Sequence, residues 1–345
     1  VWHNNNNLSL AYRWGLIATA ITCVVVVLGA FTRLADAGLG CPDWPGCYGH
    51  LTWPTDAASV AVAEARFPES PVEHDKTWPE MVHRYFAGTL GLIILGLALA
   101  TWHWAAKAPH QSFPRFHSLG ILLLVIVQAA FGMWTVTLKL WPQVVTAHLL
   151  GGFATLSLLW LYTQRVSGAQ WQLPHYLHQK LFGLKFLSVL ALIAVIIQIA
   201  LGGWTSSNYA ALACTDLPTC HGEWWPAMDF VHAFNFAQDI GPNYLGGLLE
   251  NEARTAIHMT HRMGAILVSL LVLILWWRLL AFGSVVTRPI AWLLLLVLLV
   301  QIALGVSNVL GSLPLVVAVA HNGVGALLLL VMITLNHRVF TAKSC

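Results

Sequence analysis

The chain has 345 residues, of which 58% are hydrophobic and 9% charged, and its mean hydropathy is +0.70. Soluble domains carry about 25% charged residues, so a water-soluble globule is excluded and the bilayer is the solvent this composition requires. The net charge is only +3 and the basic residues are scattered between apolar runs, which speaks against nucleic acid as a partner.

In chain order, the opening Val1–Asn7 stretch is Asn-rich and reads as disordered and open to trimming. Runs long enough for a helix to cross the hydrocarbon core follow at 13–32, 80–104, 117–137, 144–163, 183–205, 256–278, 289–308 and 316–336. None shows the period-two alternation of a barrel strand. The first run is too long for a cleavable signal peptide and lacks a small-residue cleavage site. Spans three and four are separated only by the Leu138–Gln143 turn, and spans seven and eight repeat that hairpin around Gly311–Pro314. Within the long segment His50–Trp78, an Ala/Glu/Arg-rich sequence suits a short amphipathic helix lying over the first spans.

All 14 acidic residues fall within Asp36–Glu80 and Asp216–Glu252. The opposite side carries Arg13, Lys107, Arg115, Arg165, Lys180, Lys185, Arg278, Arg288, Arg338 and Lys343. By the positive-inside rule that basic side, with both termini, is cytoplasmic, and the acidic loops 33–79 and 206–255 lie outside. Two close cysteine pairs, Cys41/Cys47 and Cys214/Cys220, sit in those loops, where disulfides persist. Each pair suits a disulfide that rigidifies a loop over the bundle mouth. A redox role for the first pair stays open, and no His/Cys set at zinc spacing accompanies either.

At an offset of 173, Gly29–Gly49 aligns with Gly202–Gly222 without a gap, matching Cys41 to Cys214 and Cys47 to Cys220. The same offset places Gln128 on Gln301, Gly132 on Gly305 and His148 on His321; five extra residues in the second outer loop place His83-Arg84 on His261-Arg262. Four spans per half means both halves enter from the same side, so they form a parallel repeat about an axis along the membrane normal. The expected fold is therefore an all-α membrane protein of eight transmembrane helices in two pseudo-symmetric four-helix bundles. The bundles would occupy 1–165 and 183–345, joined by a cytoplasmic linker at 166–182.

An ionisable residue inside a span is a candidate functional group. His83 and His148, with their repeat partners His261 and His321, lie about one turn inside the outer ends of their spans. Two histidines at equal depth on two helices of one bundle can hold a haem iron from opposite sides. A side chain hydrogen-bonded to a neighbouring helix is the alternative for any one of them. Gly88, Gly91, Gly151, Gly152, Gly264, Gly323 and Gly325 follow these histidines and would let a flat macrocycle lie near the backbone, or simply serve helix packing.

His103, His110, His117, His175, His178 and His337 read as solvent-facing at the inner side. His258, one turn before His261, is the repeat partner of Glu80. Glu-x-x-His in one half becomes His-x-x-His in the other, which implies two haem sites with different work. Glu80 is either a helix N-terminal acid favoured by the macrodipole or a proton-handling or cation-stabilising group beside the haem edge. Arg84 and Arg262 suit haem propionates or snorkelling to the headgroups.

Gly29–Gly49, Glu80-Met-Val-His-Arg84, Ala147-His148 and His258-Met-Thr-His-Arg262 together resemble the haem A synthase family of cytochrome oxidase assembly enzymes, over nearly the whole chain. The resemblance implies oxidation of the C8 methyl of haem O to a formyl group, giving haem A. It implies substrate haem O, and product haem A, held by His83 and His148 in the N-terminal bundle, and haem B as cofactor held by His261 and His321 in the C-terminal one. It implies Glu80 as the catalytic carboxylate, stabilising positive charge developing on the methyl carbon. Among partners, membrane lipid, haem O synthase as donor and an electron carrier of unidentified kind are expected, with room for a homo-oligomer; the membrane is the inner (cytoplasmic) one. The runner-up is a two-haem electron-transfer cytochrome, which gives Glu80 no role. A transporter predicts ionisable groups at the midplane, which is nearly empty of them.

Overall fold

The structure is a computed structural model that describes residues 6–108 and 111–345. Eleven α-helices follow in order: α1 (Asn6–Leu34), α2 (Ala57–Arg66), α3 (His74–Lys107), α4 (Arg115–Thr137), α5 (Pro142–Ser167), α6 (His175–Gln179), α7 (Leu181–Ser207), α8 (Phe230–Ala233), α9 (Asn251–Ala281), α10 (Arg288–Leu310) and α11 (Leu315–Thr341). Eight of them, all but α2, α6 and α8, are long and apolar enough to cross a membrane. The Asn-rich opening lies outside the described residues as far as position 5, whereas Asn6 and Asn7 are already helical; His110 also lies outside them.

Each spanning helix is apolar on both its buried and its outward face. In α3, Leu90, Ile94 and Leu97 are buried, while Leu92, Leu95 and Leu99 point outward. A helix apolar all round belongs in lipid rather than on a water-facing surface. The first four spans pack as a ring, α1 on α3, α3 on α4, α4 on α5 and α5 on α1. The last four close in the same order, α7 on α9, α9 on α10, α10 on α11 and α11 on α7. Between the rings, α1 meets α11, α5 meets α7, and α5 meets α11. Exchanging the halves maps this pattern onto itself.

The turns repeat as closely as the helices. Among the described residues, the non-glycine positions with positive φ are Asp36, Tyr48, Lys139 and Leu140 in the first half and Tyr209, His221, Ser312 and Leu313 in the second. Taken in order, each position in the first half stands at the offset of the sequence repeat from its partner in the second. A left-handed residue other than glycine is uncommon, so four matched pairs mean that the same loops were built twice.

Two elements run further than the apolar pattern suggests. Helix α3 starts at His74 rather than near 80, and α9 at Asn251 rather than near 256. Their polar first turns carry Asp75 and Glu252, which complement the helix dipole and let each helix continue beyond the hydrocarbon. Helix α2 is the short helix expected within 50–78. A capping box between Asp56 and Ser59 starts it, and Ala63 packs it onto Cys41, Cys47, Tyr48 and Met81. The connection at 166–182 is tied down by a small parallel pairing of β1 (Gln172–Leu173) with β2 (Lys343–Ser344) near the end of the chain.

Candidate functional site

In the first ring, His83 is the tenth residue of α3 and His148 the seventh of α5. Their ring centroids are 6.5 Å apart with planes at 88°. Two metal–imidazole bonds of about 2 Å set end to end, with roughly 1.2 Å from each nitrogen to its ring centre, span about 6.4 Å. The pair therefore fits an iron between the rings. Both Nδ1 atoms are buried, and a backbone carbonyl lies near each imidazole, that of Val25 for His83 and of Gln128 for His148, the kind of neighbour that orients a ligating imidazole. Among the described residues no three His, Cys, Asp or Glu side chains converge as a metal-ion cage. Two axial imidazoles suit haem iron, whose other ligands are macrocycle nitrogens.

What makes room for these rings comes from neighbouring helices. A Cβ at Gly29 on α1 would stand 2.9 Å from His83 Cε1, and one at Gly132 on α4 would stand 3.3 Å from His148 Cε1. The second ring repeats this, with Gly202 on α7 against His261 Cε1 at 3.2 Å and Gly305 on α10 against His321 Cε1 at 3.2 Å. These four glycines were legible only as repeat matches, not as space for histidines. Of the glycines that follow the histidines, Gly88, Gly91 and Gly152 border open space. Gly151, Gly264 and Gly325 instead face the side chains of Gln128, Gln198 and Gln301, and Gly323 faces Val27.

Glu80 is the seventh residue of α3 and is buried. The macrodipole effect falls off within the first turn, so the simple N-terminal-acid reading does not hold. Its two oxygens are instead held separately: Oε2 accepts from the Cys41 backbone N–H at 3.0 Å, and Oε1 pairs with Arg84. Arg84 Nη1 also donates to the carbonyls of Asp43 (3.0 Å), Pro45 (3.2 Å) and, most closely, Gly46. Gly40 lies so close to the Lys76 backbone that any side chain there would collide. That contact lets the Cys41 amide reach the carboxylate.

Cys41 and Cys47 form a disulfide, and so do Cys214 and Cys220. In each ring one aspartate folds the loop: Asp43 accepts from the N–H groups of Tyr48 and Gly49 at 2.7 Å each, and Asp216 from those of His221 (2.8 Å) and Gly222 (3.0 Å). The Asp216 carboxyl is lowered to about 2 by the Thr219 hydroxyl and these amides. Arg262 holds the second ring through the carbonyls of Thr219 (2.9 Å) and Cys214 (3.1 Å). Both arginines thus direct their described hydrogen bonds to loop carbonyls, and Arg84 also to Glu80.

The second ring differs where Glu80 stood. His258 is buried there, with the Ala210 backbone carbonyl near its imidazole. Gln198 Nε2 lies 3.0 Å from His261 Nδ1 and donates to the His261 carbonyl at 2.9 Å, while Gln301 Nε2 lies 3.3 Å from His321 Nε2. Among the inner-side histidines, His103 and His175 are exposed. His117 and His337 are not simply solvent-facing: each is half-buried.

The sequence profile described as cytochrome oxidase assembly protein matches residues 12–333. A haem A synthase of Shewanella oneidensis is 46% identical over 321 residues, covering 93% of this chain and 94% of that protein. The chain belongs to the haem A synthase family. More distant similarity within that family extends to haem A synthases of Chelativorans sp., 29% identical and covering 88% of this chain and 84% of that one, and of Shouchella clausii, 26% identical and covering 86% of each. The family resemblance carried by the Gly29–Gly49 and His-Arg motifs is confirmed, and with it a multi-pass membrane protein.

Proposed function

We propose that this protein is a haem A synthase that oxidises the C8 methyl group of haem O to a formyl group, supplying haem A to terminal oxidases. The observation that carries the reading is the His83–His148 pair, spaced for an iron, with a doubly held carboxylate one helical turn from His83. In this reading the first bundle, residues 1–165, takes substrate haem O on His83 and His148. The second bundle, residues 183–345, takes haem B on His261 and His321, and 166–182 links them. Bound haem B supplies one-electron redox chemistry beside the substrate site.

The chain's own residues then have separable tasks. His83 and His148 fix the substrate macrocycle, and Gly29 and Gly132 leave them the space to do so. Glu80 presents negative charge at the outer end of the site, where positive charge developing on a methyl carbon would be stabilised. Arg84 and the Cys41 amide hold that carboxylate in one orientation. The disulfide loop, packed against α2 and Met81, places the Cys41 amide at that carboxylate. His258, in place of Glu80, leaves the second site without a carboxylate, which suits a cofactor that is not itself modified.

The membrane is the cytoplasmic membrane, with both termini inside and the acidic loops outside, following the distribution of charge. Haem O synthase is the donor, delivering substrate within the bilayer, and a separate electron carrier completes the redox balance. All four histidines come from one chain, so the proposed sites need no second copy.

The test is identification of the bound haems. Protein purified from cells co-expressing haem O synthase is expected to contain haem B together with haem O and haem A, resolved by mass. Haem B alone, unchanged by the co-expression, would overturn the proposal in favour of an electron-transfer cytochrome.

A further inference from the structure

At the end of the molecule away from the acidic loops, a cavity of about 850 Å³ lies between α4 and α5 of the first ring and α7 and α11 of the second. Arg115, His117, Arg165 and His337 line it. Arg165 Nη1 lies 3.3 Å from His117 Nδ1, and Arg115 is stacked over Trp102 (5.5 Å) and Phe116 (5.0 Å). Lys185 Nζ adds a further cation 5.5 Å over the ring of Phe340, which also lines the cavity.

None of the ion pairs among the described residues involves this cluster. Every carboxylate side chain lies within 36–80 or 216–252, and every ion pair among the described residues uses one of those acids. Arg115 and Arg165 are exposed, so an anion from another molecule can reach both. His117 and His337, both half-buried, line the same wall. The remaining wall mixes polar side chains, Ser112, Gln170, Asn336 and Thr341, with apolar ones that include Leu192 and Ile333, set well inside α7 and α11. The stretch of α11 from Ile333 to Phe340 gives the cavity a depth of about 10 Å at the helical rise per residue.

We propose that this cavity is a binding site for one anionic phospholipid, its phosphate held by Arg115 and Arg165 and its acyl chain laid against Leu192 and Ile333. Basic pockets between transmembrane helices suit anionic head groups. An inorganic anion would leave the apolar depth unused, and a zwitterionic lipid would bring its own cation to the cluster. Because the walls come from both halves, the lipid joins the two rings at the end opposite the disulfide loops. This assignment does not depend on what the histidine pairs bind.

Native mass spectrometry of the full-length protein tests it, with phosphatidylglycerol and phosphatidylcholine offered separately. One retained phosphatidylglycerol per chain is expected. Arg115→Gln/Arg165→Gln should weaken its apparent affinity roughly thirtyfold, two arginines' worth of surface attraction. Arg278→Gln/Arg288→Gln removes equal charge on the same side outside the cavity and should leave it unchanged. Ile333→Trp keeps all the charges, fills the wall and should also expel the lipid, which covers the case in which the double arginine variant fails to fold. Equal loss in the Arg278/Arg288 variant would reduce the effect to general surface charge and overturn the site. So would equal retention of phosphatidylcholine, displacement of the lipid by inorganic phosphate, or a further haem in place of the lipid.

Discussion

Gly29→Ala is the most discriminating perturbation of the proposed substrate site, because it adds one methyl group and removes nothing. The new Cβ would stand 2.9 Å from His83 Cε1, inside the 3.0 Å that real Cβ contacts respect and well short of the 3.4 Å at which ordinary van der Waals contact begins. The imidazole of His83 must therefore retreat. The same change at Gly202 or Gly305 leaves 3.2 Å, and at Gly132 it leaves 3.3 Å, where a slight shift of the neighbouring ring restores contact. Functional constellations tolerate a displacement of about 0.5 Å, and Gly29→Ala is the one of the four substitutions that comes up against that limit. Overpacking of this kind costs about 1–3 kcal/mol, and a misplacement approaching about 1 Å costs up to about 10²-fold in rate. Helix propensity works the other way, since alanine favours the helix over glycine by about 1 kcal/mol; loss of activity would thus not reflect an unravelled α1. The assay is haem A, haem O and haem B per protein, measured by mass after co-expression with haem O synthase. Haem A should fall by one to two orders of magnitude in Gly29→Ala, with haem B retained, and stay near wild type in Gly132→Ala. Equal effects at the two glycines, or selective loss of haem B, would refute the reasoning.

His83→Met and His148→Met should each impair substrate-haem binding while the second-bundle haem stays in place; optical spectra showing equal loss of both haems would contradict the two-site assignment. Glu80→Ala should leave bound haem O with little haem A, and normal haem A output would remove its catalytic role. Arg84→Lys is expected to move in the same direction, because a point charge cannot hold both the carboxylate and three loop carbonyls as a planar guanidinium does; unchanged output would show that the ring needs no such clamp. The Asp216 carboxyl, lowered to about 2 from the ordinary 3.8, stabilises the folded loop fully above 3.8 and loses that contribution as pH falls towards 2. The gap in thermal midpoint between wild type and Asp216→Asn should therefore close over that interval, and a gap that persists at pH 2 would count against the hydrogen-bond account.

The spans, the repeat and the four histidines were legible because each depends on position along the chain. Apolar length marks a membrane helix, and a constant offset survives whatever the helices do in space. What escaped depends on contacts between helices. Gly29 and Gly132 matter through His83 and His148, which sit on other helices. For Glu80 the helix-start reading stood beside the catalytic one because hydropathy marks where the hydrocarbon begins, not where hydrogen bonding begins; the polar turn His74–Pro79 hides a further stretch of α3. Arg84 faced a choice between propionate and headgroup only while the loop carbonyls of Asp43, Pro45 and Gly46 were out of view. The second outer loop was likewise not expected to reach across to the first half, where Tyr244 N–H donates to the Lys139 carbonyl at 3.0 Å and Trp141 Nε1 to that of Gln238 at 3.2 Å. His117 and His337 passed as surface residues because they lie near helix ends, yet packing between the helices leaves each of them half-buried.

The two halves share their turns, their disulfide loops and the glycines that admit the histidines; α2 and the Gln198 contact to His261 set them apart, but the difference in charge beside the histidines narrows to Glu80 and His258. A buried carboxylate is costly unless it is paired, and replacing a buried ion pair with neutral groups is often neutral or stabilising. The second half takes the less costly route: His258 needs no counter-ion, and Arg262 is left to hold loop carbonyls alone. The first half keeps the carboxylate and uses Arg84 and the Cys41 amide to fix both of its oxygens. Packing alone does not require that arrangement, since the second ring closes the same loop without it. A carboxylate held at one ring and dispensed with at the other is what a division between a haem that is changed and a haem that is not would require.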